Sequence, residues 1–130
     1  MRTPTFALAL AALAACNRAP AAAETLPKLR AAIERVVNTD EENAENSALV
    51  EQVNRDRQLQ GLTRGQLADW LGPGEPCSRH PICGERGFDG SDRYYQVGRQ
   101  GSEYLRVRPA LIVGFNRFGK VERTFVLRTD

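Results

Sequence analysis

Residues 62–73 read LTRGQLADWLGP, and their punctuation predicts one short helix that the rest of the chain must accommodate. Thr63 is placed to cap the start, and Gln66 three residues on completes the spacing of a capping box. Leu67, Trp70 and Leu71 fall at i, i+3 and i+4, so three large apolar groups share one face. Gly72 supplies a left-handed stop and Pro73 cannot extend the helix. A helix of about eight residues is too short to persist alone in water, so it must dock. The surface expected to receive it is a sheet formed downstream, with Trp70 as the main plug.

The chain has 130 residues, enough for one domain and a tail, and a net charge of +2 that argues against nucleic-acid binding. Charge is divided unevenly. Residues 24–57 hold eight acidic and five basic side chains, and residues 59–130 hold eight acidic and eleven basic. This is an ordinary solvated surface or, more sharply, a basic face toward anionic lipid or an acidic partner.

The N-terminus reads as an address. Arg2 precedes an apolar run over 6–15, too short to span a bilayer and suited to a signal peptide. The run ends Leu13-Ala14-Ala15-Cys16, which resembles a bacterial lipobox. That resemblance implies a signal peptide over 1–15 and lipidation of Cys16. Asn17 at the next position points by resemblance to the outer membrane, facing the periplasm. Several acyl chains would anchor the protein stably without spanning the bilayer. Residues 16–25 are then a lipidated Cys and a flexible Pro/Ala-rich tether.

Over 26–57, Leu26, Leu29, Ile33, Val36 and Val37 recur at helical spacing, with Thr25 as candidate cap and Pro27 at an early position. Thr39 with Glu42 forms a second capping-box signal, and Ala44, Ala48, Leu49 and Val53 give a thin apolar stripe. Two cysteines follow in CSRHPIC. In an exported chain Cys77 and Cys83 most readily form a disulfide. The alternatives are a metal held by Cys77, His80 and Cys83, which lacks a fourth ligand, and a nucleophilic Cys with His80 as base.

From Arg93 the texture turns aromatic and β-branched. Tyr94, Tyr95 and Val97 predict a strand ending at Gly98, with a turn at 100–102. The run ALIVGF (110–115) predicts a second strand entered through Pro109, and 116–120 a hairpin loop. Residues 121–127 close the meander, with Val121, Arg123, Phe125 and Leu127 on one side. Leu111, Val113 and Phe115 share a face and are expected to receive Trp70 and Leu71. The class is α+β, with two or three helices packed on a three-stranded antiparallel sheet.

Gly61-Leu62-Thr63, Leu67, Leu71-Gly72-x-Gly74-x-Pro76, Tyr94-Tyr95 and Phe115-Asn116-x-x-Gly119-x-Val121 resemble, in order and spacing, the SmpA/OmlA (BamE-like) outer-membrane lipoproteins. The likeness covers residues 58–126, within a domain expected over 58–130. The chain departs from it at Leu62, where the family carries Met, and in the inserted stretch 73–93. The resemblance implies a β-lactamase-inhibitor-like architecture and a non-catalytic role, without cofactor or metal, in assembly or stability of the outer membrane. It implies the barrel-assembly complex as partner and anionic phospholipid as a further contact. The alternative on the same fold is a periplasmic inhibitor or ligand-binding lipoprotein that uses the inserted loop. Nothing in the sequence has the spacing of a catalytic constellation, and Ser78, Ser91 and Ser102 lack a nucleophile-elbow setting. For partner contact the candidates are Tyr94, Tyr95, Arg117 and Phe118, by residue type and by expected exposure at the sheet edge.

Overall fold

The computed structural model describes residues 19–101 and 107–128, with side chains from residue 22 onward. The expected signal peptide over 1–15 and the expected lipidation site Cys16 lie outside the described residues. The described elements run α1 (Ala19–Glu34), β1 (Val36–Val37), α2 (Asp40–Arg55), α3 (Arg64–Leu71) and β2 (Glu75–Pro76). A 3-10 turn (Cys77–Arg79) and α4 (Pro81–Glu85) follow, then β3 (Arg93–Gln96), β4 (Arg99–Gln100), β5 (Ala110–Phe115) and β6 (Val121–Leu127). The class is α+β. One antiparallel sheet has the order β2-β3-β5-β6, and β1 pairs with β4 in parallel as a separate two-stranded ribbon.

Helix α3 forms as its sequence demands. Gln66 N–H donates to Thr63 Oγ1 (3.1 Å) and Thr63 N–H donates back to Gln66 Oε1 (3.0 Å), so two of the helix's orphan donors are satisfied. Gly72 ends it at φ 87°, ψ −180°, a backbone state open essentially to glycine alone. Thr39 caps α2 by accepting from Glu42 N–H (3.1 Å), while the Glu42 carboxylate takes the Asn38 N–H (3.2 Å).

Helix α1 begins at Ala19, not after Thr25, so the expected tether over 16–25 is helical from Ala19 onward. Alanine is the best helix former and 19–23 is almost all alanine. Thr25 is buried within the helix, and Pro27 lies in the helix interior where one backbone hydrogen bond is forgone. The expected division into 26–57 and 58–130 does not separate two cores. Leu26 and Leu29 of α1, Val50 and Val53 of α2, and Leu67 and Leu71 of α3 join Tyr95, Leu111 and Val113 in a single cluster. Arg30 of α1 ties to α3 through Asp69 C=O (3.0 Å).

That cluster covers one face of the sheet. The other face carries Tyr94, Ala110 and Ile112, with Phe125 and Leu127 beside them, and is covered by Cys77, Cys83 and Phe88 from the inserted loop. A two-face cover differs from the bare second face that helices on a three-stranded sheet would leave. Three further differences follow from short-range geometry. Trp70 is only partly buried at the margin of the core, and Leu67 with Leu71 makes the plug. The turn expected at 100–102 gives way to β4, in which Arg99 N–H donates to Arg35 C=O (2.8 Å). A register shift between Gly114 and Phe115 turns Val121 into the helix-side core, away from the side of Arg123, Phe125 and Leu127.

Candidate interaction surface

The four residues expected to meet a partner divide into two pairs. Tyr94 and Tyr95 are adjacent on β3, an internal strand, so alternation sends them into opposite layers. Tyr95 is 2% exposed and its hydroxyl donates to Gly72 C=O (2.9 Å), fastening β3 to the end of α3. Burial pushes its pKa up to about 12. Tyr94 is 8% exposed and stacks on His80 with ring centroids 3.7 Å apart and planes 10° apart. Burial, then the nearby Glu75 carboxylate, raises its pKa. Neither tyrosine is an exposed anchor, because the inserted loop covers the face on which Tyr94 was expected to be open.

Arg117 and Phe118 lie at the tip of the β5–β6 hairpin, and Phe118 is 72% exposed. The tip is braced from within. Asn116 Oδ1 accepts from Phe118 N–H (2.9 Å) and Lys120 N–H (3.1 Å), and Asn116 N–H donates to Lys120 C=O (2.8 Å). At its base the buried Asp92 takes Phe115 N–H on Oδ1 (3.0 Å). The Arg117 guanidinium lies 4.9 Å from the Phe118 ring centre, and Arg64 lies 3.9 Å over Phe115 while donating to Ser91 C=O (2.8 Å). Further along, Arg123 sits 4.1 Å over Phe88 and donates to Gly87 C=O, and Arg86 lies 4.8 Å over Phe125.

Four arginine–aromatic pairs are therefore present among the described residues, each with the guanidinium within about 6 Å of the ring centre. None of these arginines has a carboxylate partner among the described residues. The hairpin tip and its base are therefore cationic and aromatic together through Arg117, Phe118, Arg64 and Phe115, while the Arg123–Phe88 and Arg86–Phe125 pairs lie further along the sheet. Arg64, Arg86 and Arg123 were not legible as partners of aromatic rings, because those rings sit on other elements.

Cys77 and Cys83 are bonded to each other across a Cα–Cα distance of 5.6 Å. Their sulfurs are thus not available as metal ligands or nucleophile. His80 instead faces the Glu75 carboxylate (Nε2 to Oε2 2.9 Å). Among the described residues no group of His, Cys, Asp or Glu is placed to hold a metal ion, and no helix is long and apolar enough to cross a membrane. An open cleft of about 560 Å³ lies at the end of the sheet away from the hairpin tip, beside Gly74, Gln96, Arg99 and Arg108. Comparison with protein-family models, with curated proteins and with solved structures finds no match to this chain.

Proposed function

We propose that the chain is a non-catalytic outer-membrane lipoprotein of the SmpA/OmlA kind, held by lipidated Cys16, that serves as an adaptor in outer-membrane assembly or stability. The observation that carries this reading is the braced hairpin tip, where Phe118 stands 72% exposed beside Arg117, which has no carboxylate partner among the described residues. An aromatic and an arginine on a rigid protrusion are the residue types that dominate protein interfaces. The Leu-Ala-Ala-Cys16 signal and the motif series through Gly119 and Val121 support the membrane address and the family.

The inserted loop supports the adaptor over the inhibitor. Its Cys77, Cys83 and Phe88 are buried against the sheet, so it acts as a cover more than as a recognition loop. The partner favoured by the resemblance is the barrel-assembly complex, with anionic phospholipid as an auxiliary contact.

The test is native extraction of outer membranes carrying the full-length protein, Cys16→Ser, or Arg117→Glu with Phe118→Ala. The wild type is expected in the outer-membrane fraction with the barrel-assembly subunits, Cys16→Ser in the soluble fraction, and the tip variant in the membrane without those subunits. Recovery of an intact barrel-assembly complex lacking this protein would sink the reading.

A further inference from the structure

A second site lies along the uncovered edge of β3, separate from the hairpin tip and independent of the lipoprotein reading. Strand β2 pairs Glu75 with Tyr94 and Pro76 with Arg93, and there it ends. Beyond it, at Tyr95 and Gln96, no strand among the described residues covers the outer edge of β3. The direction of the peptide groups follows from two bonds. Asp92 C=O accepts from Cys77 N–H (2.8 Å) on the β2 side, and Val97 N–H donates to Pro109 C=O (2.8 Å) on the β5 side. Peptide groups of alternate residues point the same way in an antiparallel sheet. Gln96 therefore presents its N–H and C=O outward, in line with Tyr94. Its side chain is turned aside, donating to Arg108 C=O (2.9 Å) and Pro109 C=O (3.1 Å).

This edge forms a wall of the cleft of about 560 Å³, within the range of about 300–1,000 Å³ usual for ligand sites. Its charges are unequally satisfied. Of the two carboxylates among its described lining residues, Glu34 pairs with Arg30 (3.4 Å) and Glu75 with His80 (2.9 Å). Of the two guanidiniums, neither Arg99 nor Arg108 has an ion-pair partner among the described residues. Arg108 donates from Nη1 to Gly98 C=O (3.1 Å), and its buried Nε has no hydrogen-bond partner. Among the described residues, the cleft joins an open strand edge to two cations without an ion-pair partner.

We propose that the cleft takes an extended acidic peptide segment of a partner protein. The segment adds to the outer edge of β3 in line with β2, hydrogen-bonds to the Gln96 backbone, and sets carboxylates against Arg99 and Arg108. Strand addition supplies affinity through main-chain bonds, and the arginines select for acidic side chains.

The test uses the full chain in detergent and the blocked peptide Ac-TVEVEVT-amide, with its Glu→Lys counterpart and a version N-methylated at alternate residues. The acidic peptide is expected to bind and to slow hydrogen exchange at the Gln96 amide. The joint Arg99→Gln and Arg108→Gln variant, its circular dichroism unchanged, is expected to bind about tenfold more weakly, equivalent to about 1.4 kcal/mol. The Lys and N-methylated peptides are expected not to compete. Equal binding of either comparator would overturn the proposal, as would no binding of the acidic peptide at millimolar concentration. Full displacement by inorganic phosphate would reassign the cleft to a small anion. Self-association of the chain abolished by the arginine variant would reassign it to a second copy.

Discussion

Trp70 is the largest side chain on α3, yet Leu71 holds the helix to the sheet. In a helix of 3.6 residues per turn, Leu67 and Leu71 lie nearly one above the other, and Trp70 is rotated about 100° from Leu71. The two leucines are buried, and the indole rides the margin of the core. Leu71→Ala is expected to cost about 3 kcal/mol, and Trp70→Ala less, as read from urea midpoints. Spacing told that all three residues share one side of the helix, but not where along it the sheet is centred. Tyr94 and Tyr95 carry a related lesson. Alternation sends them to opposite faces, yet residue type placed both at an exposed edge, and their exposure depended on loop 77–92 folding back, which no local pattern announces. Tyr95 also titrates unusually. Burial raises it from an ordinary 10.0 to about 12, so the stability it contributes is complete below pH 10 and lost as pH climbs toward 12. Tyr95→Phe removes the bond to Gly72 and is expected to cost about 1 kcal/mol at neutral pH. It should also flatten the alkaline decline in urea midpoint between pH 9 and 11.5, relative to wild type.

At the scale of elements, punctuation was the legible part. Thr63, Gln66 and Gly72 bounded α3, Thr39 opened α2, and Pro109 stood just before β5. The start of α1 was hidden because an alanine run has propensity but no cap. The two-residue strands β1 and β4 were hidden because each is defined only by its distant partner. The cap of α2 yields a pH test. Glu42 accepts from Asn38 N–H and from the Thr39 hydroxyl, and these bonds, with the backbone bond foremost, hold its carboxyl below the ordinary 4.5. A depressed pKa stabilises the fold above the unfolded value and ceases to as pH falls through the folded one. Wild type is thus expected to exceed Glu42→Gln in thermal midpoint at pH 7, with the gap closing as pH drops below 4.5. A constant gap would show that the carboxylate charge is irrelevant.

Across the whole molecule the sheet is filled on both faces by unlike means. Three helices supply one cover, and a short loop closed by Cys77–Cys83 supplies the other. The α+β class could be read from periodicity alone. The two-sided packing could not, since the loop's composition resembles an exposed insertion. The candidate surface was half legible: Arg117 and Phe118 are at an exposed tip, while the cleft beside Gln96 arises from where β2 stops. Replacing both Cys77 and Cys83 by Ser is expected to cost about 2.4 kcal/mol by loop-closure entropy, measured by urea unfolding against the oxidised wild type. Near-ultraviolet dichroism of Tyr94 should weaken in the same variant, with helix content kept. The helix-side cluster contains no cysteine. The covalent tie therefore belongs to one cover alone, and the helix-side cover is held by noncovalent packing. Among the described residues, a reductant thus has a bond to break on one face of the sheet and none on the other.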